Sequence, residues 1–219
     1  MLRHLIFDLD GTLIDSKLDI IASLRLAFVR IGRKNIEIDE NCIGLPLRQI
    51  AYSLDSSISE NEFFIFQKEF RNDYDTKDYN ATNLMKGVVP TLNNLATLGM
   101  NSYVATTKPS MPMRRVIDAL GLSCYFQGTY SLDSLEDSHK TKADLIKRIL
   151  LEKQIDPIEA AYIGDYPTDI TAAHDCGITA IAYLNGYGET AELLAMNPDI
   201  CIDCISDLSM KLVTKGTTK

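Results

Sequence analysis

The chain has 219 residues and an apolar fraction of 46%, enough for one globular domain or for one domain with a small insert. Its net charge of −8 and isoelectric point of about 4.9 argue against nucleic acid or an anionic membrane surface as a partner, because both select a basic surface. Asp8 and Asp10 interrupt the apolar N-terminal stretch, so we expect no secretory signal, and without a run of about 18 apolar residues we expect no membrane span.

The cysteines favour a reduced, cytoplasmic protein, because their number, five, is odd. Cys201 and Cys204 form a C-x-x-C that lacks the second pair or the nearby histidines of a zinc site. We interpret this segment as part of a late buried strand. The three histidines, His4, His139 and His174, are scattered, and none accompanies a serine or cysteine motif.

In chain order, the pattern predicts one strand, then a helical region, and then strands that alternate with helices. Strands are predicted over residues 3–7, 101–106, 160–163 and 178–183, with weaker ones near 124–126 and over 199–202. Helices of the alternating part are predicted over 89–98, 112–120, 142–153, 168–176, 189–196 and 206–213. Such alternation predicts an α/β fold with a doubly wound, mostly parallel, Rossmann-like sheet.

Residues 16–82 break this rhythm, because three apolar stretches with helical spacing follow one another without a convincing strand. The stretches are LDIIASLRLAFVRIG, LPLRQIAYSL and ENEFFIFQKEFRNDY. We expect Phe63, Phe64, Phe66 and Phe70 to pack the core of this small helical domain. The prediction is therefore a helical insert over 16–82 within an α/β core domain of residues 1–15 and 83–219.

Distinctive polar residues follow three of the four clear strands. Asp8-Leu9-Asp10-Gly11-Thr12 follows the first, Thr106-Thr107-Lys108 ends the second, and Gly164-Asp165 ends the third, with Asp169 one helical turn further on. Because ligands bind beyond the carboxyl ends of parallel strands, we expect these segments to meet at one edge of the sheet. Taken alone, a bare D-x-D can equally be a turn, and Asp165 and Asp169 can be a helix cap and a first-turn acid.

The motifs resemble those of the haloacid dehalogenase-like hydrolase superfamily, and within it the phosphoglycolate phosphatase-like group. The resemblance rests on DLDGTLIDS at Asp8–Ser16, on Thr106 in VATTKP, on the lysine-led helix KADLIKRIL and on GDYPTD at Gly164–Asp169. It extends over nearly the whole chain, including IGLPLRQI and KGVVPTLNNLATLG. The first and fourth of these motifs are specific, whereas the second and third are weak alone.

The resemblance implies that Asp8 attacks phosphorus and forms an aspartyl-phosphate, which splits one displacement into two. Asp10 would protonate the leaving oxygen and then deprotonate the attacking water. Dehalogenases lack this second aspartate, because a halide leaves without a proton. Thr106 would donate its hydroxyl to the phosphoryl oxygens, and Gly11 and Thr107 would line the phosphate site. Thr107 replaces the asparagine that is frequent in the family.

The resemblance also implies Mg²⁺ as cofactor, with the Asp8 carboxylate, the Asp10 carbonyl and Asp165 as ligands and with Asp169 at the metal site holding either a water of the metal or a neighbouring side chain. A lysine should neutralise the phosphoryl group, and Lys142 fits this role better than Lys140. Many relatives have a lysine-proline pair here, and this chain does not. The helical insert would be a cap domain, in which Arg48 is either a contact to a second anionic group of the substrate or a surface arginine.

The expected function is a Mg²⁺-dependent phosphatase acting on the phosphate monoester of a small metabolite, with phosphoglycolate a leading candidate. Alternatives are a phosphomutase of the same superfamily, a pyrophosphatase or nucleotidase, and a non-catalytic binding module. The last would be favoured by loss of Asp8, Asp10 or Asp165, and all three are present. We expect a monomer or a homodimer.

Overall fold

The computed structural model describes residues 2–135 and 140–215, so His139 lies outside the described residues. The chain divides into two compact units. The larger consists of Met1–Ile14 and Leu84–Lys219, and the smaller of Asp15–Asn83. These boundaries lie one residue outside the predicted insert at each end.

The described residues form eight strands and nine α-helices. The strands are β1 (His4–Phe7), β2 (Ile14–Asp15), β3 (Asn83–Leu84), β4 (Asn101–Thr106), β5 (Phe126–Ser131), β6 (Ala160–Gly164), β7 (Thr179–Tyr183) and β8 (Ile200–Ile202). The helices are α1 (Lys17–Arg30), α2 (Leu47–Leu54), α3 (Glu60–Tyr74), α4 (Val88–Thr97), α5 (Ser110–Ala119), α6 (Lys142–Glu152), α7 (Pro167–Asp175), α8 (Thr190–Ala195) and α9 (Asp207–Lys215).

The larger unit is built on a six-stranded parallel sheet in the order β5-β4-β1-β6-β7-β8. β1 lies in the middle, with Phe7 opposite Val104 of β4 and Ile163 of β6. The central strands are apolar and buried on both faces, as expected when helices cover both sides of a parallel sheet. The predicted α/β class with a mostly parallel sheet is confirmed.

The core of this unit follows from the alternation of side chains along the strands. Ile6 and Tyr162 point to the face covered by α6 and α7, where Leu145, Ile149 and Ile170 pack against them. Elsewhere in this unit, helix α4 contacts strand β4 and helix α9, and α9 also contacts strand β8. The two helical layers hold β1, β4 and β6 rigidly, so the segments that follow these strands start from fixed positions.

The weak strand predicted near 124–126 is wrong in position. Ser123–Tyr125 is a short 3₁₀ turn, and β5 runs over Phe126–Ser131. β5 is an edge strand with the polar sequence FQGTYS, so it lacks the apolar signal that identified the other strands. The remaining predicted strands and helices of this unit agree with the structure within one or two residues at each end.

The smaller unit is helical, and α3 packs on α1 and α2. Phe63, Phe66 and Phe70 form a buried stripe at helical spacing, and the Phe66 ring lies 4.7 Å from that of Phe28 in α1. The expectation for Phe64 is wrong, because its side chain is 69% exposed. It stands one position off the buried stripe, which turns it toward solvent.

A polar cluster, called here the Asp19 network, consists of the buried Asp19, Ser23 and Thr82 and the partly buried Asp73 and Lys77. The Asp19 carboxylate accepts hydrogen bonds from Thr82 Oγ1 at 2.7 Å and from the Ala81 amide at 3.1 Å. Lys77 Nζ donates to Ser23 Oγ at 2.8 Å and lies 3.2 Å from Asp73 Oδ2, which also accepts from Ser23 Oγ. The network ties the first turn of α1 to the segment that follows α3.

Within the described part of the chain, no helix combines the length and apolarity needed to cross a membrane.

Candidate active site

The segments that follow β1, β4 and β6 meet because these three strands are neighbours in a parallel sheet. The hydrogen bonding between β1 and β6 continues one residue past the end of β1, since the Asp8 amide donates to the Ile163 carbonyl at 2.8 Å. Asp10 and Gly11 then lie in a tight turn closed by the Leu13 amide on the Leu9 carbonyl at 2.9 Å. The backbone of this segment therefore fixes the positions from which the side chains of Asp8 and Asp10 extend.

Three carboxylates converge at this edge, those of Asp8, Asp165 and Asp169. One oxygen of each lies within 4.8 Å of the others, and all three residues are buried. Asp8 Oδ1 is buried and has no hydrogen-bond partner among the described residues. Buried polar atoms in proteins almost always have a partner, so this oxygen points to a ligand that completes its shell.

Lys142 lies among these carboxylates. Its Nζ donates to Asp8 Oδ2 at 3.1 Å and also contacts Asp169 Oδ1. The lysine is the first residue of α6, whose start is fixed by a reciprocal capping interaction between Thr141 and Asp144. A cation at a helix N-terminus opposes the helix dipole, so the carboxylates rather than the helix account for its placement. Lys140 Nζ instead donates to the Leu135 carbonyl at 2.6 Å.

Burial first, and repulsion between neighbouring carboxylates second, raises the pKa values of Asp8 and Asp165. Burial, together with Asp169 and Asp8, raises the pKa of Asp165 to about 7. Burial also raises the pKa of Asp8 to about 6, with Asp169 and Asp10 adding to the effect and Lys142 opposing it. Burial lowers the pKa of Lys142, but Asp169 and Asp8 outweigh it and raise that pKa above its usual range. The site holds more negative charge than one lysine neutralises.

Asp165 is held by two donors and by close packing. Thr12 Oγ1 donates to Oδ1 at 2.6 Å and the Tyr187 amide donates to Oδ2 at 2.8 Å. A Cβ atom on Gly11 or Gly186 would overlap the Asp165 side chain, and Gly11 also has a positive φ of 82°. Sequence reasoning assigned no role to Thr12, Gly186 or Tyr187, which together orient this carboxylate.

Asp10 is paired with a lysine that the sequence analysis left without a role. Lys108 Nζ donates to Asp10 Oδ1 at 3.0 Å, and its side chain is 3% exposed. The Lys108 amide donates to Thr106 Oγ1 at 3.2 Å. Thr106 is buried and Thr107 is exposed, so the two threonines that were predicted to contact phosphate differ in their surroundings.

Arg48 lies in α2 of the smaller unit. Its Nη1 donates to Glu60 Oε1 at 2.8 Å, and its guanidinium lies 4.3 Å from the centroid of the Phe63 ring. The side chain is about half exposed. These contacts leave the predicted role of Arg48 untested.

The donor set fits a divalent metal ion. Three buried carboxylates supply hard oxygen ligands, and one of their oxygens lacks a partner among the described residues. Asp169 is additionally fixed, because its Oδ2 accepts from the Tyr166 amide at 2.9 Å at the start of α7. A divalent cation would neutralise the negative charge that adds to burial in raising the pKa values of Asp8 and Asp165.

Comparisons with known proteins identify the family of the chain. Residues 5–183 match the family model described as haloacid dehalogenase-like hydrolase. The chain is 30% identical over 185 residues to tyrosine-protein kinase PtkA of Mycobacterium tuberculosis, covering 84% of this chain but only 62% of that protein. It is 29% identical over 214 residues to phosphoglycolate phosphatase 1 of Pseudomonas aeruginosa, covering 94% of this chain and 78% of that protein.

A solved structure shows the same fold. A haloacid dehalogenase-like family hydrolase from Streptococcus pneumoniae superposes with a TM-score of 0.87 at 25% identity, covering 96% of this chain and 98% of that one. The segment matched by the family model contains both Asp8–Ser16, which follows β1, and Gly164–Asp169, which begins at the end of β6. These two motifs carry the clustered carboxylates. The chain belongs to the haloacid dehalogenase-like hydrolase family.

Proposed function

We propose that this protein is a Mg²⁺-dependent phosphatase that hydrolyses the phosphate monoester of a small metabolite. The observation that supports this most directly is the cluster of Asp8, Asp165 and Asp169 around Lys142, with Asp8 Oδ1 buried and without a partner among the described residues. Family membership and the similarity to a phosphoglycolate phosphatase support the same reaction class.

Asp8, Asp165, Asp169 and the Asp10 carbonyl would hold the metal ion. When bound, Mg²⁺ would supply positive charge that stabilises the phosphoryl oxygens during transfer. Lys142 would contribute a second cation next to the Asp8 carboxylate. The globally acidic chain would thus provide local positive charge where a phosphate binds.

In the first step a carboxylate oxygen of Asp8 would bond to phosphorus as the bond from phosphorus to the substrate oxygen breaks. Asp10 would give its proton to that leaving oxygen, so the product departs as an alcohol. In the second step water would attack phosphorus, Asp10 would take the water proton, and Asp8 would be released with inorganic phosphate. Thr106, buried at the end of β4, would donate to the phosphoryl group.

The proposal is tested by screening a panel of phosphorylated metabolites with the purified protein, including phosphoglycolate, nucleoside monophosphates and sugar phosphates. We expect release of inorganic phosphate that stops with EDTA and returns with added Mg²⁺. Turnover that is unchanged by chelation would contradict the metal's role. Transfer of the phosphoryl group to a second hydroxyl of a hexose phosphate, without free phosphate, would instead identify a phosphomutase.

The roles of the smaller unit and of Arg48 are part of the same proposal. The resemblance suggests that Asp15–Asn83 acts as a cap and that Arg48 reads a second anionic group of the substrate. Arg48→Met should then raise KM for a carboxylated substrate more than for p-nitrophenyl phosphate. Equal KM changes for the two substrates would argue against this role.

A further inference from the structure

Two buried lysines contact the proposed catalytic aspartates, but only one has a role in the function proposed above. Lys142 contacts Asp8 and Asp169, whereas Lys108 contacts Asp10. The Lys108 Nζ lies 3.0 Å from Asp10 Oδ1, and its side chain is 3% exposed while that of Asp10 is 22% exposed. Lysines are among the residues least often buried, so this placement needs a reason.

Fold stability is a poor reason for the pair. Burying an ammonium group costs free energy that a salt bridge to a partly exposed carboxylate only partly returns. A lysine side chain also loses rotamer freedom when it is fixed. An apolar side chain at position 108 would fill the same space without the cost of burying a charge, and Asp10 could remain solvated at its exposed side.

The backbone around Lys108 is fixed on two neighbouring strands. Its amide donates to Thr106 Oγ1 at 3.2 Å, and its carbonyl accepts from Ser131 Oγ at 2.5 Å. Both hydroxyl-bearing residues are buried, Thr106 at the end of β4 and Ser131 at the end of β5. The lysine therefore starts from a rigid position and reaches across to the turn that follows β1.

We infer that Lys108 is a positioning residue that holds the Asp10 carboxylate in the orientation needed to transfer a proton to and from the reacting oxygens. The inference rests on the proposed function, in which Asp10 is the proton donor to the leaving group. Proton transfer requires hydrogen-bond reach, and small displacements of a catalytic group reduce rates strongly. Loss of the Lys108 ammonium would remove this contact to Asp10 Oδ1 and weaken the restraint on the orientation of the carboxylate.

The test uses two aryl phosphates of nearly equal shape, p-nitrophenyl phosphate and phenyl phosphate. p-Nitrophenolate leaves without a proton, whereas phenolate needs one, so in the first step, which kcat/KM reports, only phenyl phosphate depends strongly on the Asp10 proton. We expect Lys108→Met to lower kcat/KM for phenyl phosphate by about 10–100-fold and for p-nitrophenyl phosphate by less than about threefold. The exposed Lys153→Met is the matched control and should change neither.

A double-mutant cycle with Asp10→Asn decides whether Lys108 acts through Asp10. On phenyl phosphate, Asp10→Asn combined with Lys108→Met should lose no more activity than Asp10→Asn alone. Thermal unfolding checks that each variant is folded, and Lys108→Gln replaces Lys108→Met if the latter does not fold.

The outcomes separate this inference from the proposed function. Equal losses on both substrates, additive losses in the cycle, or no loss at all would overturn the role of Lys108 while leaving the phosphatase intact. A wild-type protein that hydrolyses neither ester would overturn the proposed function, and with it the proton-transfer role of Asp10 that Lys108 would serve.

Discussion

The two units of this protein each bury a network of charges, and the networks differ in how completely their charges are satisfied. In the Asp19 network, hydroxyl, amide and ammonium donors meet both carboxylates. Burial raises the pKa of Asp73, but hydrogen bonds from Ser23 and Lys77 outweigh it, so the pKa lies below its ordinary value. The carboxylates of the Asp19 network are therefore satisfied by groups of the protein, without a metal ion.

The carboxylates at the end of β1 and β6 show the opposite behaviour. Asp8, Asp165 and Asp169 face one lysine, and the pKa values of Asp8 and Asp165 are raised to about 6 and about 7. Asp8 Oδ1 has no partner among the described residues. A network whose charges and polar atoms all have partners stabilises a fold. A cluster with excess negative charge and a buried oxygen that lacks a partner among the described residues instead predicts a bound cation or substrate.

The largest expected effect is that of Asp8→Asn, which removes the proposed nucleophile. Turnover of p-nitrophenyl phosphate with Mg²⁺ should fall by about 10⁴-fold or more. Because the substitution removes one charge from an overcrowded cluster, the metal-free variant should be at least as stable as the wild type at pH 8. Urea denaturation of both metal-free proteins checks this. A variant that is less stable by several kcal/mol would show that the carboxylate cluster stabilises the fold, as the Asp19 network is expected to do.

Asp19→Ala, unlike Asp8→Asn, should lower the stability of the fold. It leaves the Thr82 hydroxyl and the Ala81 amide without their shared acceptor and removes a carboxylate 3.8 Å from Lys77 Nζ, so it should lower the free energy of unfolding by about 2–4 kcal/mol. Chemical denaturation measures the change, and the exposed Glu37→Ala is the matched control with an expected change near zero. Equal stability of Asp19→Ala and wild type would show that the network is not structural.

Gly186→Ala should weaken metal binding without replacing a metal ligand. The added methyl group would overlap the Asp165 side chain and displace a carboxylate that Tyr187 and Thr12 otherwise hold. We expect a loss of about 10–100-fold in Mg²⁺ affinity by calorimetry, as for other groups that orient metal ligands. Gly99→Ala, at an open surface position where a positive φ strains an alanine, is the control for a loss of stability away from the site, and it should bind Mg²⁺ normally.

Protons should compete with Mg²⁺ for the cluster. The raised pKa values mean that the metal-free fold binds protons more tightly than the unfolded chain, so its stability should fall as pH rises from about 4 to about 7. Over the same window the carboxylates become available to a metal ion. The apparent dissociation constant for Mg²⁺ should therefore fall at least about tenfold between pH 5.5 and pH 7.5. A pH-independent constant would contradict the burial-induced shifts.

The sequence predicts the site where its groups follow strands directly. Asp8, Thr106 and Asp165 come at the ends of β1, β4 and β6, and a parallel sheet brings such positions together. The clear strands were predicted for the same reason, since their apolar runs are buried on both faces. The edge strand β5 was misplaced because its polar sequence has no such run.

Other parts of the site depend on contacts that no local pattern encodes. Lys108 meets Asp10 across 98 positions of sequence, and Tyr187 reaches Asp165 from the loop after β7. Gly186 is needed for close packing against Asp165, whereas in the sequence LNGYGET it looks like a turn residue. Phe64 shows the same limit, because an aromatic cluster in the sequence does not say which of its members faces inward.

The most direct measurement is anomalous scattering from crystals of the wild-type protein soaked in Mn²⁺, which takes the same oxygen ligands as Mg²⁺. We expect one strong peak bounded by the carboxylates of Asp8, Asp165 and Asp169, and its absence in crystals of Asp165→Asn. A well-ordered site with no peak at this cluster, or with a peak only elsewhere, would contradict the account.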